Sequence, residues 1–189
     1  MVAPTLAYGI SPHHMAFSGS ATLMPETLVL IVQDIVTSFL SHGFRRIFFI
    51  NGHGGNVNAI ETGLQRLKAD NYQGIFGLLS WYDYPEMADI GRELFDDKDG
   101  AHATPSEVAV IRFLRPETFG TKATMEQEIE KPETHWPLSA EEMKRFFPDG
   151  RMHSAPWLAT EKKGEMVIAR SVEALEKKLQ RFLAMPLAT

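Results

Sequence analysis

With seven histidines, twenty-four Asp and Glu and no cysteine, this chain has neither a thiol nucleophile nor a thiolate metal site, so any metal must be held by imidazole and carboxylate. The histidine in the most telling surroundings is His53, within the run RRIFFINGHGGN that ends at Asn56. Ile47 to Ile50 are apolar, β-branched or aromatic, and too few for helical periodicity, so they predict a buried strand. Val57, Ile60, Leu64 and Leu67 then fall on one face of a helix. In open parallel sheets, ligands collect beyond the carboxyl ends of strands, where glycines let backbone approach them closely. Three readings of this turn stay open. Its amides could cradle an anion at a helix start, although the Lys and Ser/Thr of a phosphate loop are missing. It could be structural, with Gly54 and Gly55 at positive φ and Asn56 capping the helix. Or His53 is a metal ligand.

A second cluster begins in the acidic loop Asp96 to Gly100 and runs through His102 to Glu107. Thr104, Pro105 and Glu107 spell a capping box with proline at the first helical position, so the Glu107 carboxylate has a structural use in accepting the cap residue's N–H. The bland role for His102 is a hydrogen-bonded cap. His42 ends a helix, where the dipole favours an imidazolium. His13, His135 and His153 are expected in loops, the last two in solvent.

The elements that must carry these groups follow in order. Thr5 to Tyr8 predicts a strand. Pro25 opens a helix that Gly43 closes, with Leu28, Ile31, Ile35 and Phe39 as its buried stripe. Ile75 to Trp81 predicts another strand, Pro85 to Phe95 a helix, and Thr104 the start of the next. Pro116 to Pro137 carries no clear period. Ser139 to Phe147 predicts a short helix, and Glu165 to Leu183 a last one that buries Ile168, Val172, Leu175, Leu179 and Phe182. Strands alternating with helices imply right-handed βαβ units, hence an α/β fold: a three-layer α/β/α sandwich with a mostly parallel sheet.

At 189 residues, 44% hydrophobic and 23% charged, the chain is expected to form one domain spanning 1–189. A net charge of −5 and a pI near 5.8 argue against nucleic-acid or membrane partners, which reward clustered Lys and Arg. The apolar stretch Leu28 to Leu40 is broken by Gln33, Asp34, Thr37 and Ser38, so a cytoplasmic location is expected.

NGHGGN after an apolar strand resembles the signature of the creatininase (creatinine amidohydrolase) family. YGISPHHMAFSGS at Tyr8 to Ser20 and DGAHATPSEVA at Asp99 to Ala109 are similar to two further segments of that family, in the same order. The resemblance implies a metal-dependent amidohydrolase that cleaves a C–N bond of a cyclic or linear small-molecule amide, with two divalent metals, Zn or Mn, in complete members and a homo-oligomeric assembly. It makes His53 a metal ligand, His102 the catalytic histidine that serves the departing nitrogen, and Ser11, His14 and Asp99 substrate contacts. Where one branch of the family has an acidic ligand two residues beyond its metal histidine, this chain has Gly55, which leaves Glu107 as the candidate carboxylate. These groups are expected to meet in a cavity at the open end of the sheet. The family also opens with a segment bearing Glu, His and Asp ligands, and this sequence starts downstream of its counterpart. An exposed apolar surface or sheet edge is therefore expected, and metal affinity should be low. A non-catalytic assembly module, a deformylase or a peptide-trimming enzyme are the alternatives.

Overall fold

The computed structural model describes residues 1–118 and 132–187; the weakly patterned stretch after Pro116 lies largely outside them. The described chain falls into two units, residues 1–83 with 177–189 and residues 84–176.

In the first unit, helix α1 (Pro25–Ser41) starts with proline in its first turn, and its carbonyl end is closed by Gly43 at φ 88°. Gly43 N–H donates to Leu40 and Phe44 N–H to Phe39, at 3.0 and 3.1 Å, which satisfies the orphan carbonyls by a left-handed glycine stop. Strands β1 (Arg46–Asn51) and β2 (Ile75–Ser80) flank α2 (Val57–Ala69) and pair in parallel, with Ile47 opposite Phe76 and Phe49 opposite Leu78. Those four side chains lie against the core built by α1 and α2. The alternate residues turn to the other face, where Phe48 meets Phe182 near the end of the last helix, ring centroids 4.9 Å apart. A side chain at Gly77 would strike both rings, so glycine there makes room for that packing. Helices on one face and a helix end on the other give the α/β layering expected from the sequence, built in the described residues on two strands.

Expectations change at three places, Thr5–Tyr8, the stripe of α1 and Ile50. Thr5–Tyr8 is exposed and joins no ladder; a strand needs a hydrogen-bonding neighbour, and no described segment supplies one. The buried stripe of α1 is Leu28, Val29, Val32, Val36 and Leu40, rotated from the predicted one. This helix is apolar almost all round, so periodicity cannot choose between adjacent stripes. The close approach of α2 chooses, because Gly63 sits where a Cβ would be 3.0 Å from Val32 Cγ1 and 3.1 Å from the Val29 carbonyl oxygen. Ile50, expected within a buried strand, is 60% exposed, because in the described residues β1 pairs with β2 alone, and residues 46–49 are only half-buried.

The second unit holds α3 (Pro85–Phe95), α4 (Pro105–Leu114), α5 (Ala140–Phe146) and the first part of α6 (Glu161–Leu183). Both α4 and α5 begin with reciprocal capping boxes, Thr104 with Glu107 and Ser139 with Glu142. The Ser139 backbone N–H holds the Glu142 carboxyl below the usual carboxylate range. Of the residues predicted to be buried on α6, Phe182 is 5% exposed, but Val172 is 56% exposed, and Val167, Ser171 and Ala174 are buried in the second unit instead. Ser171 Oγ lies 3.3 Å from Met87 Sδ of α3, and at Gly164 the backbone of α6 comes so near that of α4 that a Cβ would stand 1.9 Å from the Ala109 carbonyl oxygen. Arg170 on the same helix donates to Glu93 of α3 at 2.7 Å.

Candidate active site

The turn after β1 is built on two asparagines. Asn51, 4% exposed, donates from Nδ2 to the His53 carbonyl at 2.7 Å and to Ser80 Oγ at 3.0 Å. Its Oδ1 accepts the His53 N–H and Asn56 Nδ2, each at 3.2 Å. Asn56 Oδ1 in turn accepts the N–H of Ile10 at 2.8 Å. The end of β1, the end of β2 and the segment at Ile10 are thereby fastened together around His53. Asn56 does not cap α2, contrary to expectation, since its carboxamide is spent on this longer-range contact. Gly54 and Gly55 are not at positive φ either; they form a 3-10 turn.

Space explains the glycine at 55. A Cβ there would lie 2.2 Å from the Ile10 carbonyl oxygen and 3.0 Å from His53 Nε2. An acidic ligand two residues beyond His53 therefore cannot be accommodated with this backbone. Gly55→Ala should cost about 1–3 kcal/mol, read as a lower denaturation midpoint. Gly52→Ala, whose Cβ would meet nothing within 4 Å, should stay within about 0.5 kcal/mol.

His53 is half-buried, and its Nε2 is enclosed with no hydrogen-bond partner. A buried ring nitrogen left unsatisfied is costly and calls for an explanation. It fits a ligand donor, because a neutral imidazole offers one lone pair to a cation. In the same unit, Ser11 Oγ and His14 Nδ1 are 2.7 Å apart. His14 is 8% exposed, with its ring 4.2 Å from that of His13, so these two predicted substrate contacts form one hydrogen-bonded pair.

The remaining candidates belong to the second unit. Glu107 Oε2 accepts the Thr104 N–H at 2.9 Å while Glu107 N–H donates to Thr104 Oγ1 at 3.1 Å, so the capping role is filled. Asp99 Oδ1 accepts the Ser106 N–H at 3.2 Å, adding a second anionic acceptor at the start of α4. Its other oxygen lies 2.7 Å from where a Cβ at Gly91 of α3 would stand. His102 is half-buried in the turn leading to that helix. His153, expected in solvent, is half-buried instead, and its ring meets Phe147 edge-on at 5.2 Å. Among the described residues, no three His, Asp or Glu side chains group so as to hold a metal ion. The described residues thus offer a fitting first ligand in His53 but not a complete set.

A parallel-sheet α/β fold with a histidine-bearing, glycine-rich turn beyond a strand's carboxyl end is of the class that binds ligands at that end. The chain belongs to the creatininase family, described as creatinine amidohydrolase, whose model matches residues 1–179. It is 30% identical to the mycofactocin precursor peptide peptidase of Mycobacterium ulcerans over 122 residues, 64% of this chain and 42% of that protein. It is 25% identical to the creatinine amidohydrolase of Pseudomonas putida over 195 residues, 93% of this chain and 72% of that protein. The chain thus spans less than half the length of the peptidase. A crystal structure of creatinine amidohydrolase superposes with a TM-score of 0.78 at 24% identity, covering 97% of this chain and 75% of that one. Two further creatininases of like fold, one a Zn–Zn form and one a Mn form, each give a TM-score of 0.72 at 23% identity, over 89% of this chain and 68% of theirs. No described helix is long and apolar enough to cross a membrane.

Proposed function

We propose that this chain carries the body of a creatininase-type amidohydrolase that adds water across a C–N bond of a small amide or a peptide end. Family membership supports a hydrolase, and the relatives named above include both a peptidase and a creatinine amidohydrolase. The observation that carries the reading is the enclosed, unpartnered Nε2 of His53 at the strand end. In this reading His53 is one ligand of a divalent cation, Zn or Mn, and His102 passes a proton to the departing nitrogen. A cation held there would polarise the carbonyl and acidify water. Ser11, oriented by His14, contributes a hydroxyl to the substrate. Asp99 fixes the start of α4 so that the turn bearing His102 is held in one conformation.

The test is metal retention combined with amide cleavage. The purified chain, equilibrated with Zn²⁺ or Mn²⁺ and dialysed, should retain metal, and His53→Ala should not. Creatinine and a short unblocked peptide, each assayed by product formation, separate the two substrate classes. A chain that retains no metal and cleaves neither compound would overturn the reading. The absence of a three-ligand group among the described residues favours a second reading, a non-catalytic assembly module. That module would give a concentration-dependent oligomer in sedimentation and no cleavage.

A further inference from the structure

Two loops of the second unit are locked together beside His102. Residues 96–103 hold three non-glycine positions in the left-handed region, Asp96, Asp97 and Ala103 at φ 53°, 58° and 49°. Residues 150–155 hold two more, Met152 and His153 at 48° and 69°. Such conformations persist only where the surroundings enforce them, and they gather at functional sites. Here the loops enforce each other. Ala155 N–H donates to the Lys98 carbonyl at 3.0 Å and Ala101 N–H to that of Met152 at 3.3 Å. At Gly100 the contact is backbone on backbone, since a Cβ would stand 2.5 Å from the Ser154 nitrogen.

Ser154, 3% exposed, lies at the centre. Its hydroxyl is 2.7 Å from the His102 carbonyl, 3.0 Å from that of Ala103 and 2.8 Å from that of Arg151. One proton shared among three carbonyls sets the direction of the peptide that follows His102, at the point where the chain enters its left-handed turn. The neighbouring His153 Nδ1 is enclosed without a hydrogen bond, so this loop keeps an unsatisfied polar atom as well as its unusual backbone. Asp96 closes α3, its N–H donating to the Gly91 carbonyl, whereas Ala103, Met152 and His153 lie where the two loops meet.

We propose that Ser154 is a positioning residue for His102, holding the peptide on its carboxyl side and hence the direction in which the imidazole leaves the turn. The proposal rests on His102 being the proton-handling residue, and its test is chosen to separate the two. The His102 imidazole resonance is assigned by its absence in His102→Gln and followed through a pH titration in the full chain, alongside kcat and KM. In Ser154→Ala that resonance should move and broaden and kcat should fall about tenfold, with KM within about twofold. Ser154→Cys, close in shape but a weak donor, should fall between the two, and it replaces the alanine variant if that one does not fold. Unchanged resonance and kcat in a folded variant, or equal losses in Cys and Ala, would overturn the proposal. Retention of activity in His102→Gln would sink the catalytic reading, while the resonance still reports whether Ser154 orients that ring.

Discussion

His102→Ala is expected to lower the cleavage rate of the amide substrate by about a hundred- to ten-thousand-fold, the range for losing a general acid or base in the transition state. Expulsion of an amine from a tetrahedral intermediate needs a proton at nitrogen, and alanine supplies none. The loss should fall on kcat and kcat/KM alike, because an interaction made only in the transition state is removed. The turn itself is held through the His102 carbonyl, which alanine keeps. The measurement is steady-state kinetics beside a melting curve. A kcat within a factor of about three would move the proton transfer to another group.

The largest stability effect is expected from Gly164→Ala. Alanine in a helix interior would ordinarily gain about 1 kcal/mol over glycine. At this position in α6, however, the Cβ would stand 1.9 Å from the Ala109 carbonyl oxygen, 2.5 Å from its carbon and 2.9 Å from Phe113 Cβ. The obstructing atoms belong to the backbone and inner side chain of α4, which cannot swing aside as a long side chain would. Overpacking should therefore win by about 3 kcal/mol, the upper end for an extra methyl in a filled interior. The check is a denaturant midpoint at unchanged slope. A rise in the midpoint, as helix propensity alone predicts, would contradict the close contact of α4 and α6.

Both effects depend on features the sequence displays unequally. His102 stands out through the resemblance of its segment to the creatininase family, since its own neighbours, an acidic loop and a capping box, suit a hydrogen-bonded cap equally well. Gly164 carries no local mark that separates it from any other helix glycine. On α6 periodicity favours larger residues over Val167, Ser171 and Ala174, because it weighs hydrophobicity and is blind to which neighbour a face meets, such as Met87 beside Ser171. Ser154 is equally silent, two of its three carbonyl partners being more than fifty residues away.

What the sequence by itself determined is what neighbours along the chain decide. Pro85 to Phe95, the Thr104–Glu107 box, the stop at Gly43 and the order of strand, turn and helix around His53 all rest on contacts within about one turn, and each was readable. The tertiary structure decided where distant segments arrive. It turned Asn56 from a helix cap into a tie to Ile10, made Gly55 a matter of clearance from a carbonyl some forty-five residues back, and chose one stripe of an evenly apolar α1. It also divided the candidates, with Ser11, His14 and His53 in one unit and Asp99, His102 and Glu107 in the other. Local propensity carries no information about what lies across a packed interface, and those outcomes are set there.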